Sequence, residues 1–177
     1  ARGLVIPLGS VSAQQHKTVL LEVRLPEGSG PLLVASVQLS FQRPGSVESM
    51  QSNQRVHSEL VDGTPSPMDP LVEMRVQRAH TARALDQASA LFKAGQRDAA
   101  LRILAAHDIR LGAASRRAAE QARKRGDRRA RDVDDDFSQQ RQKMKRARRE
   151  MEHHAPRATK GRHTIRRNRV DSMRMSL

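Results

Sequence analysis

The chain has 177 residues, no cysteine, tryptophan or tyrosine, and 33 Lys plus Arg against 19 Asp plus Glu, a formal net charge of +14. Without cysteine there is no disulfide framework, thiol nucleophile or thiolate zinc site, and a reducing cytoplasm is the expected location. No run of about 18 apolar residues is present to span a membrane.

Leu4-Val5-Ile6-Pro7-Leu8 reads as a strand, with no charged leader, long apolar stretch or start Met around it. The chain is therefore expected to continue a polypeptide that precedes Ala1. Across residues 17–25, Leu21, Val23 and Leu25 alternate with Glu22 and Arg24, the period of a half-buried strand. Pro26-Glu27-Gly28-Ser29-Gly30-Pro31 supplies turn chemistry. Residues 32–41 repeat the alternation, with Leu33, Ala35, Val37, Leu39 and Phe41 on one face. The short loop predicts an antiparallel hairpin between 17–25 and 32–41. Arg43-Pro44-Gly45 opens another turn, and Val56, Ser58 and Leu60 mark a fourth strand within 46–61, ending at Asp62-Gly63. Residues 1–63 thus read as one antiparallel sheet with a greasy face that needs a cover. A complete sandwich has about seven strands, so either the following helices cover this half-sandwich or missing strands do.

Residues 64–70 are a proline-rich linker ending in Asp69-Pro70, an N-cap followed by proline at the first helical position. Val72, Val76, Ala79, Ala82, Leu85, Ala88 and Leu91 then recur every three or four residues, with Phe92 beside them, and Gly95 ends the helix. A second helix from about Asp98 uses Ala99, Ala100, Leu101, Ile103, Leu104, His107 and Leu111, with an interruption expected at Gly112. Residues 71–112 therefore form an αα-hairpin. It resembles a single tetratricopeptide-type unit, but no second copy follows at a fixed period, so an ordinary hairpin packed on the sheet is the simpler reading. Hydrophobic residues are only 37% of the chain, which concentrates the expected core within residues 1–110.

The charge is uneven: residues 1–120 carry a net +3 and residues 121–177 a net +11. Residues 113–155 read as a charged helix. Phe137, Met144 and Met151 are spaced by seven, flanked by Val133 and Ala147, which makes a thin seam for a partner helix in the manner of a coiled coil. Polar Gln140 interrupts the seam, and a solvated charged helix is the competing reading. Pro156 ends this helix, and 156–177 have too few apolar groups to fold alone, so they are expected to stay disordered unless bound.

Catalytic constellations are missing from the sequence. There is no phosphate-cradling glycine loop, no Gly-x-Ser-x-Gly elbow and no His-Glu-x-x-His spacing among the seven histidines. The expectation is a non-enzymatic chain with no catalytic residue, cofactor or metal. The basic runs are the remaining candidates: Arg123, Lys124 and Arg125, then Arg128, Arg129 and Arg131, then Arg141, Lys143, Lys145, Arg146, Arg148 and Arg149, and last Arg166, Arg167 and Arg169. They can neutralise phosphates or grip an acidic partner. Phe137 is the single aromatic after residue 92, so nucleic-acid binding would be backbone-directed and blind to sequence.

Gly3-Leu4-Val5-Ile6-Pro7-Leu8-Gly9 resembles the valine–x–leucine–glycine strand that follows the von Willebrand factor A (VWA) domain in many multidomain VWA proteins. Val19 to Pro26 resembles their next strand, and Leu33 to Phe41 the one after. The stretch with Ala79, Ala82, Ala88, Gly95, Ala100 and Leu104 resembles their closing helical segment. The resemblance covers roughly residues 3–111 and implies a β-sandwich that takes strands from both sides of an inserted VWA domain. The Asp-x-Ser-x-Ser metal site of that domain has no counterpart here, so it implies no metal role for any residue of this chain. It implies a scaffold that binds protein, with its own upstream VWA region or an assembly as partner. Sequence-independent nucleic-acid binding through the Arg-rich last third is the alternative.

Overall fold

The computed structural model describes residues 3–12, 17–61, 66–126 and 130–176. The fold is α+β: a two-stranded antiparallel sheet precedes four helices. The chain divides into two compact units, Leu21–Pro67 and a second formed by Ala1–Leu20 with Met68–Leu177.

In the first unit, strand β1 (Gly30–Gln42) pairs antiparallel with β2 (Ser49–Leu60). The connection begins with a turn set by Arg43-Pro44-Gly45-Ser46. Pro44 fixes its own φ, Gly45 takes φ +80°, and the Ser46 N–H donates to the Arg43 carbonyl at 3.0 Å. The register places Ala35 opposite Val56, Val37 opposite Gln54, Leu39 opposite Ser52 and Phe41 opposite Met50. A register shift between Leu33 and Ala35 leaves Val34 as the extra residue, a β-bulge. That shift corrects the expected face. Leu33 pairs with His57 and lies on the polar side, while Leu32, opposite Ser58, joins Ala35 and Val56.

Two of the four expected strands do not form. Residues 4–8 and 17–25 belong to no strand or helix, and Val23 is 51% exposed. Alternation predicts which face a strand would bury, but a strand needs a neighbour's N–H and C=O groups, and β1 gives its inner edge to β2. The expected pairing of 17–25 with 32–41 is not made: β1 bonds β2 along one edge, and its other edge has no strand partner among the described residues. Asp62-Gly63 and the first residues of the expected linker lie outside the described residues.

The second unit is an up-down-up-down arrangement of α1 (Pro70–Lys93), α2 (Arg97–Arg125), α3 (Ala130–His153) and α4 (Thr159–Ser176). Short connections make sequential neighbours antiparallel. Pairs such as Arg146–Asp171 and Arg167–Glu150 step in opposite senses along α3 and α4. α1 packs on the other three helices, so α1 and α3 share the short diagonal.

Local chemistry sets the ends. Asp69 Oδ1 accepts from the Leu71 N–H at 2.9 Å, and Pro70 follows as the first helical residue. α1 closes with Gly95 at φ +83°, where the Gln96 N–H donates to Leu91 O and the Gly95 N–H to Phe92 O. α2 does not break at Gly112. A glycine inside a helix costs about 1 kcal/mol. Keeping the helix intact keeps Leu111, Ala114, Ala118 and Ala122 buried on the face begun by Ala100, Leu104 and His107.

The core is not within residues 1–110, as expected, but runs from Met74 to Met175. Phe92 and Phe137 are its two large rings; Ala82, Ala88, Ala100, Ala114, Ala118 and Ala147 let the helices approach closely. A small-residue core explains how a chain this poor in hydrophobics folds. The expected disorder of 156–177 is also corrected. α4 buries Gly161, Thr164, Asn168, Asp171, Ser172 and Met175 along one face. Its docking is largely polar, which apolar counting overlooks. Asn168 Nδ2 donates to Ser89 Oγ at 3.4 Å, Ser172 Oγ to Asp86 Oδ2 at 2.6 Å, and an Arg78 guanidinium N–H to the Arg174 carbonyl at 3.1 Å.

Candidate functional site

Three features of the molecule could act on something else. The first is the hairpin. One face of β1–β2 carries Ala35, Val37, Leu39, Phe41, Met50 and Val56. It is left half-exposed among the described residues: Val37 is 47% exposed, Leu39 44% and Phe41 41%. An isolated two-stranded hairpin is marginal in water. Ala35, Val37, Leu39 and Phe41 of this face were legible from alternation.

The second feature is the cationic surface. Arg128 and Arg129 lie outside the described residues. Lys124 pairs with Glu120, Arg125 with Asp69, Arg141 with Asp108, Arg146 with Asp171, Arg148 with Glu152 and Arg167 with Glu150. These cations are committed within the bundle, although exposed pairs of this kind stabilise it little. Arg123, Arg131, Lys143, Lys145, Arg149, Arg166 and Arg169 have no ion pair among the described residues and spread over α2, α3 and α4. The +11 segment is therefore half of a bundle rather than an appendage. The bundle and its flanking residues 68–177 hold 28 Lys plus Arg against 14 Asp plus Glu. The seam residues Val133, Phe137, Met144 and Met151 are each at most 1% exposed, inside the core. The partner helices of this seam are α1 and α2 of the same chain, so the solvated-helix reading is excluded.

The third feature was not anticipated. Thr81, His107 and Gln140, from α1, α2 and α3, are 0%, 4% and 2% exposed and meet in the middle of the bundle. Gln140 Nε2 donates to Asp136 Oδ1 at 2.6 Å, so its Oε1 is left to accept from the Thr81 hydroxyl at 2.9 Å. Thr81 has one proton, which it shares between Gln140 Oε1 and the Gln77 carbonyl at 2.8 Å, so at 2.8 Å the His107 Nε2–H is the donor to Thr81 Oγ1. Asp136 ends the relay 3.6 Å from Arg78. Burial pulls the His107 pKa from 6.5 down to about 4; Arg110 and His80 add to this and Asp108 opposes it. The ring is therefore neutral at pH 7. His107 and Gln140 sit at apolar positions of two helical stripes. Sequence periodicity counted one as core and the other as a defect, and nothing in the sequence tied either to Thr81.

Beside this relay, α1 and α2 leave a recess of about 430 Å³ with His107 in its lining, together with His80, Arg83, Arg110 and Arg117. Among the described residues there is no cluster of three His, Cys, Asp or Glu able to hold a metal ion, and no helix is long and apolar enough to cross a membrane. No family model, curated protein or solved structure matches the chain.

Proposed function

We propose that this chain is a non-catalytic interaction module in which the β1–β2 hairpin completes a β-sandwich beside a VWA domain, with the helical bundle as a rigid brace. The uncovered apolar face of β1–β2 carries this reading. Burying the half-exposed Val37, Leu39, Phe41, Met50 and Val56 against a second sheet is the ordinary way such a face becomes stable. The partner class is taken from the sequence resemblance to VWA-flanking strands, of which Leu33–Phe41 lies in a strand here and 4–8 and 17–25 do not. The test places a photo-crosslinking residue at Leu39 on the apolar face or at Gln38 on the polar face, in the host cell. A crosslink from position 39 to a polypeptide containing a VWA domain, with little from position 38, is expected. Equal yields from the two faces, or products without a VWA domain, refute it.

The second reading, sequence-blind binding of a nucleic-acid backbone, is favoured by the seven cations without ion pairs noted above. The six paired ones weigh against it, because each must give up a carboxylate to reach a phosphate. Titrating salt against RNA affinity decides it: each phosphate neutralised on a single strand contributes about −0.7 to the slope of log K against log salt. A flat line sinks the reading.

A further inference from the structure

The α1–α2 recess has a composition that bundle stability does not explain. Its lining holds three guanidiniums, Arg83, Arg110 and Arg117, and the exposed imidazole of His80, with no carboxylate among them. Like charges gathered in a concavity repel one another, and the low-dielectric walls focus the field. One counter-charge stands at the edge. Glu73, 8% exposed, accepts from Arg117 at 2.9 Å and from Gln77 Nε2 at 3.4 Å. It neutralises one cation and at the same time fixes two lining side chains. Arg110 is steered by its own helix, with Nε donating to the Ala106 carbonyl at 3.4 Å. Arg83, Arg110 and His80 have no ion pair among the described residues. Two of its lining residues, Ala84 and Ala113, are small.

We infer that this recess is a binding site for a small phosphate-bearing ligand, held by Arg83, Arg110 and Arg117 with His80 at the rim. Guanidinium forks match the paired oxygens of a phosphate, and two or more of them favour a ligand carrying at least two negative charges. Gln77 and Gln87 offer amide groups for hydroxyls or further oxygens. No Phe, Tyr or Trp lines the recess, so the large stacking platform that favours a nucleobase is missing. A sugar phosphate or short polyphosphate fits this lining, and about 430 Å³ is within the usual range of about 300–1,000 Å³ for small-molecule sites. His107 brings a neutral ring to the lining, so its unbonded Nδ1 accepts from a ligand hydroxyl or a protonated phosphate oxygen. This site is on the bundle and is independent of what covers the hairpin.

Inorganic pyrophosphate is the probe. Its affinity for the intact chain is measured by titration calorimetry at constant ionic strength, for wild type and for two variants that lose the same charge. Arg83→Gln with Arg110→Gln removes two forks from the recess. Arg149→Gln with Arg169→Gln removes two unpaired cations from α3 and α4. All four side chains are exposed, so both variants keep the core. The recess variant is expected to bind at least tenfold more weakly, and the control within twofold of wild type. Equal weakening of the two variants would show a diffuse charge effect and overturn the assignment. So would the absence of pyrophosphate binding, or affinity confined to a single-stranded oligonucleotide.

Discussion

Lowering the pH tests the buried relay of Thr81, His107 and Gln140. In the folded chain His107 is 4% exposed, gives its Nε2–H to Thr81 and sits near Arg110 and His80, so its pKa is about 4. Unfolded, it returns to about 6.5. Because the folded value is the lower one, the unfolded chain binds the extra proton first. The stability that the neutral ring carries is complete above pH 6.5 and is lost as pH falls from 6.5 to 4. A difference of 2.5 pH units corresponds to about 3 kcal/mol over that window. Carboxylates titrate in the lower part of the same range, so the effect is isolated by difference. His107→Gln keeps a neutral amide near Thr81 and cannot charge. Urea unfolding of the bundle is followed in half-unit steps from pH 7.5 to 4. The wild type should lose about 3 kcal/mol more than the variant. In parallel, the His107 ring protons should titrate near 4 by NMR. A ring that titrates near 6.5, or parallel curves for the two proteins, would refute the neutral buried relay.

Other outcomes follow from the same geometry. Thr81→Val strands the His107 Nε2–H and Gln140 Oε1 in the interior, at a cost of about 2–4 kcal/mol, whereas Thr81→Val combined with His107→Leu and Gln140→Leu should recover most of it; calorimetric unfolding compares them. Phe137→Ala removes a ring that is 1% exposed and should destabilise the bundle by about 3–5 kcal/mol, against nearly nothing for a solvated helix. A Cβ at Gly161 would overlap the Ala155 carbonyl oxygen, a backbone group that cannot swing aside. Gly161→Ala should therefore cost about 1–3 kcal/mol and raise hydrogen exchange in α4 before the other helices.

Local rules written in the sequence settled a good part of the molecule. The Asp69-Pro70 start and Gly95 stop of α1, the Pro44-Gly45 turn and the heptad of Val133, Phe137, Met144 and Met151 each depend on residues a few positions apart. The same is true of the alternation of Val37, Leu39 and Phe41. The excess of positive charge was legible too, but not its distribution, because six of the basic residues named from sequence found carboxylate partners up to 56 positions away.

Tertiary structure decided what depends on distant partners. Residues 4–8 read as an apolar strand and 17–25 alternate like one, yet a strand exists only through a neighbour's hydrogen bonds, and neither segment pairs with the free edge of β1. The bulge at Val34 moved Leu33 to the polar face, a shift that residue-by-residue alternation cannot encode. α4 looked too polar to fold because apolar counting values only burial without hydrogen bonds. Asn168, Asp171 and Ser172 are buried against Ser89, Arg146 and Asp86, partners 25 to 86 residues away. The Thr81 relay and the arginine-lined recess likewise appear only once α1 and α2 run antiparallel. Sequence periodicity fixes which face of each helix turns inward; helix packing alone determines which polar groups then meet.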